Sequence, residues 1–201
     1  GLGDVYKRQM HRRPMSGIFE LFIPGVKKGD LYKYEIRIRG GQKVLKADPY
    51  GTCTEAFPAT ASIVDKAAGD ITWTDDFWMA ERKKYADRNQ PVSIYETDLT
   101  QWKNGEELVS FVKKLGYTHV ELHPVMGYLD EEAGPYSTFS YYAPDRRYGV
   151  PEDFARLVNE LHKENIGVIL DWTPAHFPRH GEGLELSLIH ISEPTRLRCI
   201  S

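Results

Sequence analysis

Hydrophobic and polar residues alternate strictly from Tyr32 to Arg39, within LYKYEIRIRGG at 31–41. The apolar positions are Tyr32, Tyr34, Ile36 and Ile38, and the charged positions are Lys33, Glu35, Arg37 and Arg39. A period of two places these sets on opposite faces, so the pattern predicts a half-buried antiparallel strand. The terminal Gly-Gly pair predicts a turn, and KVLKA at 43–47 is the expected partner strand. With GIFELFIPG at 17–25 as a further strand, residues 17–65 are interpreted as a small β-sandwich.

A different pattern begins after residue 91. Two segments have apolar residues at helical spacing, NGEELVSFVKKLG at 104–116 and VPEDFARLVNELHKENIG at 150–167. Their expected buried stripes are Leu108, Phe111, Val112 and Leu115 in the first and Phe154, Leu157, Val158 and Leu161 in the second. Three predicted strands flank the helices: PVSIYETDL at 91–99, THVELHPV at 118–125 and IGVILDW at 166–172, the last nearly all apolar and so expected to be covered on both faces. This alternation predicts a parallel α/β sheet, either doubly wound or closed into a barrel.

Two segments fit neither pattern. Residues 66–91 combine charged and aromatic residues without a sustained period, and we interpret them as a linker packed across an interdomain surface. Residues 126–149 form a long loop that is too aromatic for disorder. Its rings are Tyr128, Tyr136, Phe139, Tyr141, Tyr142 and Tyr148. Such rings complement the C–H faces and hydroxyl rim of a sugar, although they can equally serve to bury the loop itself.

Composition excludes several functional classes. The 201 residues carry a net charge of −3, with no basic stripe for nucleic acid and no apolar run long enough to cross a membrane. We therefore expect neither of these partners. Cys53 and Cys199 have no metal-site spacing and form no disulfide framework, which favours a reducing, cytoplasmic setting. Because the phosphate-binding, dinucleotide-binding and GxSxG motifs are missing from the sequence, we expect no cofactor and no serine-hydrolase chemistry.

Candidate chemistry lies after the third predicted strand, in DWTPAHF at 171–177. Parallel α/β folds bind ligands beyond the carboxyl ends of their strands. Asp171 occupies such an end, His176 follows in the loop, and Pro174 restricts the backbone between them. We interpret Asp171 and His176 as a polar pair directed into a cleft. The alternative is an aspartate that binds neighbouring loop amides and a histidine that packs.

A metal site in the second predicted strand is less favoured. His119, Glu121 and His123 share one face of that strand if the period of two holds. Neighbours on such a face lie about 7 Å apart, so one ion would join them only with strained side chains. A polar layer beneath the site is the preferred interpretation, and no metal is expected.

Four stretches together resemble the 1,4-α-glucan (glycogen) branching enzymes of the α-amylase superfamily, glycoside hydrolase family 13. They are THVELHPV at 118–125, YYAPDRRYGVPEDFARLV at 141–158, GVILDW at 167–172 and DWTPAHF at 171–177. GIFELFIPGVKKGDLYKYEI, LKADPYG and TASIV resemble the glucan-associated β-sandwich that precedes the barrel in those enzymes. The resemblance covers residues 15–184. It implies an α/β chain made of the first three βα elements of a (β/α)8 TIM barrel, preceded by a partial all-β immunoglobulin-like sandwich.

The resemblance also implies a domain organisation. Residues 11–65 correspond to a partial β-sandwich glucan-associated module, residues 66–91 to a linker, and residues 92–184 to the N-terminal part of the catalytic barrel. GLGDVYKRQ and SLIHISEPTRLRCIS, at the two ends, resemble translated sequencing-adapter sequence. Residues 1–10 and 185–201 are therefore expected to be tails outside the fold, the first of them disordered.

Three residues are implied to bind substrate. Asp171 matches an aspartate that braces the site, His176 a histidine that binds the glucose at the cleavage subsite, and Tyr136 a tyrosine that stacks on that sugar. The family's Trp-Gly-Tyr-Gln reads Gly-Pro-Tyr-Ser here, with Ser137 in place of the glutamine. Asp98 stands where branching enzymes more often have a histidine.

The chemistry implied by the family is retaining transfer of an α-1,4-glucan chain to a glucan 6-hydroxyl, which creates an α-1,6 branch in glycogen biosynthesis. It needs two carboxyl groups about 5 Å apart across the scissile bond. Those groups lie on later barrel strands in the family, and Glu121 and Asp171 match bracing positions instead. The chain alone is therefore expected to be inactive and to contain no catalytic residue.

Two alternatives stay open at this point. One is another hydrolase of the superfamily, debranching or trehalose-releasing, and the other is a non-catalytic glucan-binding protein. In each case the expected partner is an α-glucan, either glycogen or a starch-like polymer.

Overall fold

The structure is a computed structural model that describes residues 8–38, 41–65, 71–85, 89–129, 134–174 and 177–184. The strands of these residues are β1 (His11–Arg12), β2 (Phe19–Glu20), β3 (Leu31–Tyr32), β4 (Tyr34–Arg37), β5 (Lys43–Lys46), β6 (Ser62–Ile63), β7 (Ile94–Thr97), β8 (His119–Leu122), β9 (Met126–Tyr128), β10 (Thr138–Pro144) and β11 (Gly167–Leu170). The α-helices are α1 (Asp76–Tyr85), α2 (Gly105–Leu115) and α3 (Pro151–Lys163). Short 3₁₀ turns at Leu99–Gln101 and Arg146–Tyr148 follow β7 and β10.

A three-stranded parallel sheet forms the centre of the second half, in the order β7-β8-β11. Each strand pairs with the next of the three, and α2 and α3 provide the two connections. This confirms the predicted parallel α/β arrangement. Because the strands are parallel, their carboxyl ends meet at one edge of the sheet, where a ligand site is expected.

The two faces of this sheet differ in chemistry. The face toward the helices carries Val120 and Leu122, which pack with Leu108, Val112 and Leu161 into a core whose members are fully buried. On the opposite face Glu121 lies beside Glu96, and His119 lies between Ile94 and Gly167. His119 and Glu121 therefore share a face, as the period of two predicts. The expectation that β11 is covered on both sides is wrong at Leu170, which is 44% exposed.

Helix α2 begins and ends where its sequence predicts. The Asn104 side chain accepts a hydrogen bond from the Glu107 amide (3.0 Å), and Gly116 adopts the left-handed conformation (φ 75°) that ends the helix. The predicted four-residue stripe is only half correct, because Phe111 and Leu115 are exposed. Phe111 instead lies at the flank of the helix, where its ring packs against Tyr95 and Trp102.

Helix α3 begins at Pro151, and the Asp153 carboxylate accepts a hydrogen bond from the Val150 amide (3.0 Å). Leu157 and Leu161 are buried as predicted, whereas Phe154 and Val158 are only half-buried. Ala155 and Asn159 are buried although they lie outside the predicted apolar stripe of this helix. Asn159 is covered by the segment before α1, where the Thr74 amide donates a hydrogen bond to the Asn159 side chain (2.8 Å).

The segment interpreted as a linker contains α1, which the sequence pattern did not predict. Its apolar residues lack a helical period, so the helix depends on tertiary contacts. Trp78 is buried and stacks on the His162 ring of α3, with centroids 5.0 Å apart. Residues 66–70 and 86–88 of this segment lie outside the described residues.

The N-terminal half consists of two-stranded antiparallel ladders, which pair β1 with β2, β3 with β6 and β4 with β5. The predicted pairing of the YEIR and KVLK stretches is confirmed, with Ile36 opposite Val44. The predicted single strand is divided at Lys33, because the residues before it pair with β6 and those after it with β5. GIFELFIPG was expected to be one strand, yet only Phe19–Glu20 is paired and Phe22 is 86% exposed.

The expected long loop at 126–149 contains a hairpin. Strands β9 and β10 pair antiparallel with two register shifts, between Thr138 and Ser140 and between Ser140 and Pro144. These irregularities break the alternation by which a strand is recognised in sequence. Residues 130–133 of the same connection lie outside the described residues.

Candidate functional site

The backbone places three polar side chains at one edge of the parallel sheet. Asp98 follows β7, His123 follows β8 and Asp171 follows β11. The ladder continues past the strand ends, since the His123 amide donates to the Thr97 carbonyl (3.0 Å) and the Asp171 amide to the Leu122 carbonyl (3.0 Å). Main-chain hydrogen bonds therefore fix where these side chains leave the sheet.

Tyr136 contacts Asp171, which brings two of the three predicted site residues together. The Tyr136 hydroxyl lies near enough to the Asp171 carboxylate for hydrogen bonding between them to affect the pKa of Tyr136. This interaction raises the pKa of Tyr136, and partial burial and the negative charges of Asp171, Glu96 and Glu121 act in the same direction. The hydroxyl is thus held as a donor, while the side of the ring that faces solvent stays open, because Tyr136 is 44% exposed.

His123 lies between two carboxylates that the sequence pattern did not single out as partners. Its Nε2 is 3.0 Å from Glu96, and its Nδ1 is 3.9 Å from Asp98. The His123 ring also approaches the Tyr136 ring, with centroids 6.3 Å apart. Because Glu96 and His123 come from neighbouring strands, only the strand register could have revealed their pairing.

Asp98 also shapes the loop after β7. Its Oδ1 accepts hydrogen bonds from both the amide and the hydroxyl of Thr100, at 2.7 Å each, and so caps the 3₁₀ turn. Asp98 thus serves as a cap and lies near His123, which follows the next strand.

The hairpin that leads to Tyr136 is held by one buried carboxylate. Asp145 accepts hydrogen bonds from the Tyr128 amide (3.1 Å) and the Arg147 guanidinium (2.9 Å), and its own amide donates to the Val125 carbonyl (2.8 Å). The Arg147 guanidinium lies 3.9 Å from the centre of the Tyr128 ring. Together these contacts fix β9 against the end of β8.

Two exposed aromatic residues follow Asp171 in the chain. Trp172 and Phe177 both meet Tyr141 edge-to-face, at 6.2 and 6.0 Å between centroids, and both are about half exposed. His176, the third predicted site residue, lies outside the described residues. Its pairing with Asp171 stays a prediction.

His119 lies further along the same polar face. Burial lowers the pKa of His119, and its Nδ1 lies 2.9 Å from the Thr118 hydroxyl. No group of three His, Cys, Asp or Glu residues in the described part of the chain is placed to hold a metal ion. Among the same residues, no helix is both long enough and apolar enough to span a membrane.

This arrangement suits a ligand with many hydroxyl groups. Asp171 offers acceptor oxygens, and Tyr136 beside it offers a partly exposed aromatic ring. The site is acidic and open, with Glu96 and Glu121 on the same side of the sheet. A neutral, polyhydroxylated ligand fits these surroundings better than an anionic one.

Two family descriptions match the sequence. Residues 3–51 match Carbohydrate-binding module 48 (Isoamylase N-terminal domain), and residues 98–188 match the catalytic domain of the alpha amylases. The first covers most of the N-terminal ladders, and the second begins at the end of β7.

Curated relatives agree along nearly the whole chain. It is 43% identical over 189 residues to a 1,4-alpha-glucan branching enzyme of Cereibacter sphaeroides, covering 90% of this chain and 26% of that protein. The corresponding enzyme of Cellvibrio japonicus is 44% identical over 194 residues, with the same coverages. That of Kitasatospora aureofaciens is 47% identical over 183 residues, covering 88% of this chain and 24% of the relative. The chain thus spans about a quarter of the length of these relatives.

Solved structures support the fold. A Salmonella typhimurium protein described as an alpha amylase superposes with a TM-score of 0.61 at 20% identity, covering 90% of this chain and 34% of that one. The multi-modular glycogen-degrading pneumococcal protein SpuA superposes with a TM-score of 0.54 at 21% identity, covering 72% of this chain and 20% of that one. The fold is therefore that of a carbohydrate-binding module followed by the start of an α-amylase-type catalytic domain. Together with the relatives, these matches show that the chain is similar to a part, about a quarter in length, of the 1,4-α-glucan branching enzymes, and that this part includes the start of an alpha-amylase catalytic domain.

Proposed function

We propose that the chain forms the glucan-binding wall of a branching enzyme, in which an α-1,4-glucan segment is cleaved and transferred to a 6-hydroxyl. The observation that carries this proposal is that Asp98, His123 and Asp171 leave the carboxyl ends of three parallel strands at one edge of the sheet, where the Tyr136 ring meets His123. In the proposed complete protein, β7, β8 and β11 are the first three strands of a (β/α)8 barrel. Their polar face, with Glu96 and Glu121, then points into the barrel.

Each described site residue has a role in this proposal. The exposed face of Tyr136 stacks on a glucose ring, and the Asp171 carboxylate holds the tyrosine at the required angle. Asp171 has further acceptor capacity for a sugar hydroxyl, since a carboxylate accepts more than one hydrogen bond. His176 is proposed to bind the same sugar from the following loop. The carboxylates that perform the transfer belong to later strands of the whole protein.

The proposed domain organisation follows the same scheme. Residues 11–65 form the glucan-associated module, residues 66–91 connect it to the barrel, and residues 92–184 begin the barrel. Residues 1–10 and 185–201 are proposed to lie outside the fold. The proposed partner is an α-glucan and the proposed setting is the cytoplasm.

Titration of the 201-residue chain with maltoheptaose tests the proposal. Tyr136→Ala removes the stacking ring, and we expect the affinity to fall about tenfold or more, because a buried aromatic contact contributes on the order of 1–2 kcal/mol. Tyr136→Phe keeps the ring and is expected to have a smaller effect. Phe77→Ala removes an exposed aromatic ring from α1, away from Tyr136, and it should leave the affinity unchanged.

The outcome that would contradict the proposal is equal affinity in the unmodified chain, Tyr136→Ala and Asp171→Ala. Binding that survives both substitutions would place the glucan elsewhere. For the proposed transfer itself, the activity of a complete relative carrying this chain's residues 92–184 in place of its own is the relevant measurement. Branch formation is expected, and it should be lost when Asp171 is changed to Ala.

A non-catalytic glucan-binding role is the second candidate, and one observation favours it. Tyr50 and Tyr142 stack with centroids 5.6 Å apart, and both rings are more than half exposed. Paired exposed rings offer a platform for a sugar chain that is separate from Tyr136. Retention on glycogen that depends on Tyr50 and is indifferent to Asp171 would support this role.

A further inference from the structure

The segment after the site loop is held by the N-terminal β-ladders. The Glu182 carboxylate accepts hydrogen bonds from the Lys33 ammonium (2.7 Å) and from the Thr60 hydroxyl. Lys33 and Thr60 are themselves joined at 2.8 Å, so the three groups form a closed triangle. The backbone adds a further bond, because the Ala47 amide donates to the Glu182 carbonyl (3.1 Å).

A buried lysine completes this attachment. The Lys46 ammonium donates to the Gly183 carbonyl at 2.8 Å, although the residue is only 7% exposed. Lysine is rarely buried to this extent without partners, because its charge loses hydration. The contact with Gly183 contributes to that compensation and ties β5 to the same short segment.

The opposite side of the segment packs on the site hairpin. The His180 ring meets Phe139 of β10 edge-to-face, with centroids 5.7 Å apart. Gly183 lies so close to Phe139 that an added Cβ would be 3.1 Å from the ring. The segment at 180–183 is therefore enclosed between the N-terminal ladders and the hairpin that carries Tyr136.

This attachment bears on the site because Asp171 and Glu182 belong to one stretch of chain. Asp171 is fixed at one end by the Leu122 carbonyl, and Phe177 is in contact with Tyr141 in between. Anchoring both ends of a loop reduces the conformational freedom that ligand binding would otherwise have to remove.

We propose that Glu182 is a positioning residue through which the N-terminal β-ladders hold the Asp171 loop in its glucan-binding arrangement. The last step of this inference, the effect on glucan, rests on the proposed function. The carbohydrate-binding region thus contributes to the catalytic domain's site by fixing a loop of it, in addition to any sugar that the region binds itself.

Hydrogen–deuterium exchange of the 201-residue chain tests the attachment without any ligand. In Glu182→Gln the backbone amides of 177–184 should exchange about tenfold faster, as expected when a hydrogen bond between charged groups is weakened. Lys33→Met should have the same effect, while Lys33→Arg keeps the charge and should retain most of the protection. The matched control is Lys43→Met, which removes an ion pair with Glu35 in the same set of ladders and should leave 177–184 unchanged.

Exchanging the charges of Lys33 and Glu182 separates a specific effect of this ion pair from a general loss of stability. Lys33→Glu and Glu182→Lys should each accelerate exchange at 177–184, and the double variant should recover part of the protection. Equal exchange in all variants and in the unmodified chain would overturn the attachment. Far-ultraviolet circular dichroism shows whether each variant is folded. If a charge-reversed single variant is unfolded, exchange in Lys33→Arg and Glu182→Gln is compared instead.

Maltoheptaose affinity then tests the role in binding. Glu182→Gln should weaken binding severalfold, whereas Lys43→Met should not. Faster exchange with unchanged affinity, in a chain whose affinity depends on Tyr136, would overturn the positioning role. If the unmodified chain binds no glucan, the proposed function fails, and exchange at 177–184 still decides whether the attachment exists.

Discussion

The imidazole Nδ1 of His162 lies 2.7 Å from the carboxylate of Asp75. Both side chains are almost fully buried, and the pair joins the segment before α1 to the last turn of α3. Trp78 stacks on the same imidazole, so one histidine side chain provides two of the contacts that attach α1. The helix α1 that the sequence pattern missed is therefore held through α3.

Asp75→Asn is expected to lower the free energy of unfolding by about 1–3 kcal/mol, because a buried partner of His162 loses its charge and one acceptor. Urea unfolding followed by circular dichroism measures the change. Asp76→Asn is the matched control, since the neighbouring carboxylate is exposed. Equal effects of the two substitutions would contradict the structural role of the Asp75–His162 pair.

Gly167→Ala is expected to destabilise the chain by about 1–3 kcal/mol through crowding. The added Cβ would lie 2.8 Å from His119 Nε2 and 3.2 Å from Trp78. The His119 ring has little room to retreat, because its Nδ1 is in contact with the Thr118 hydroxyl.

Two further variants decide whether this reasoning is correct. Gly181→Ala meets no atom within 4 Å and should be nearly neutral. The double variant Gly167→Ala with His119→Ala should recover stability relative to Gly167→Ala alone. Thermal unfolding of the four proteins gives the comparison, and a neutral Gly167→Ala would argue against the close packing of β8 and β11.

Asp171→Asn is expected to lower the pKa of Tyr136 toward its ordinary value of about 10. The hydrogen bond to the carboxylate and its charge both favour the protonated hydroxyl, and the amide removes the charge. Because the folded pKa is raised, the contribution to stability is present below the ordinary value and decreases as the pH rises through the folded pKa. Carbon-13 chemical shifts of ring-labelled tyrosine report the titration, and an unchanged pKa would place Tyr136 apart from Asp171.

Glu182 should make the free energy of unfolding depend on pH in the acid range. Burial acts to raise the pKa of its carboxyl, but hydrogen bonds from Lys33 and Thr60 and the charges of Lys33 and His180 outweigh burial and lower it. A lowered carboxyl pKa gives stability that is present above the unfolded value and is lost as the pH falls through the folded value. The difference in unfolding free energy between the unmodified chain and Glu182→Gln, about 1 kcal/mol near neutral pH, should therefore shrink toward zero below about pH 4.

Urea unfolding at a series of pH values checks this dependence. Glu20→Gln serves as the control, because Glu20 forms an exposed ion pair with Arg13. If the difference in unfolding free energy between the unmodified chain and Glu182→Gln stays constant down to pH 3, then Glu182 is not stabilised as a charged group by Lys33 and Thr60.

The elements that the sequence predicted well are those whose signal is local. The Asn104 side chain and the backbone preferences of Gly116 and Pro151 mark helix ends, and the helices α2 and α3 begin or end at these residues. The position of Asp171 was equally accessible, because an apolar run that ends in a carboxylate identifies a strand end.

What the sequence could not reveal depends on distant contacts. Trp78 belongs to no helical pattern and is buried by His162 of another helix. The hairpin at 126–149 was hidden by register shifts, and the pairing of His123 with Glu96 needs the register of two strands. Nothing in the sequence distinguishes Glu182 from the other acidic residues, because only the fold brings it to Lys33 and Thr60.

The main-chain bond from Asp171 to the Leu122 carbonyl has a consequence for how this family can vary. Since backbone atoms set the place from which the carboxylate emerges, apolar side chains on the helix side of β8 and β11 are free to be exchanged for others of similar volume. Substitutions that tune the interior and substitutions that tune sugar recognition then fall on alternate residues of the same strands. Stability and ligand recognition can therefore change almost independently in this sheet.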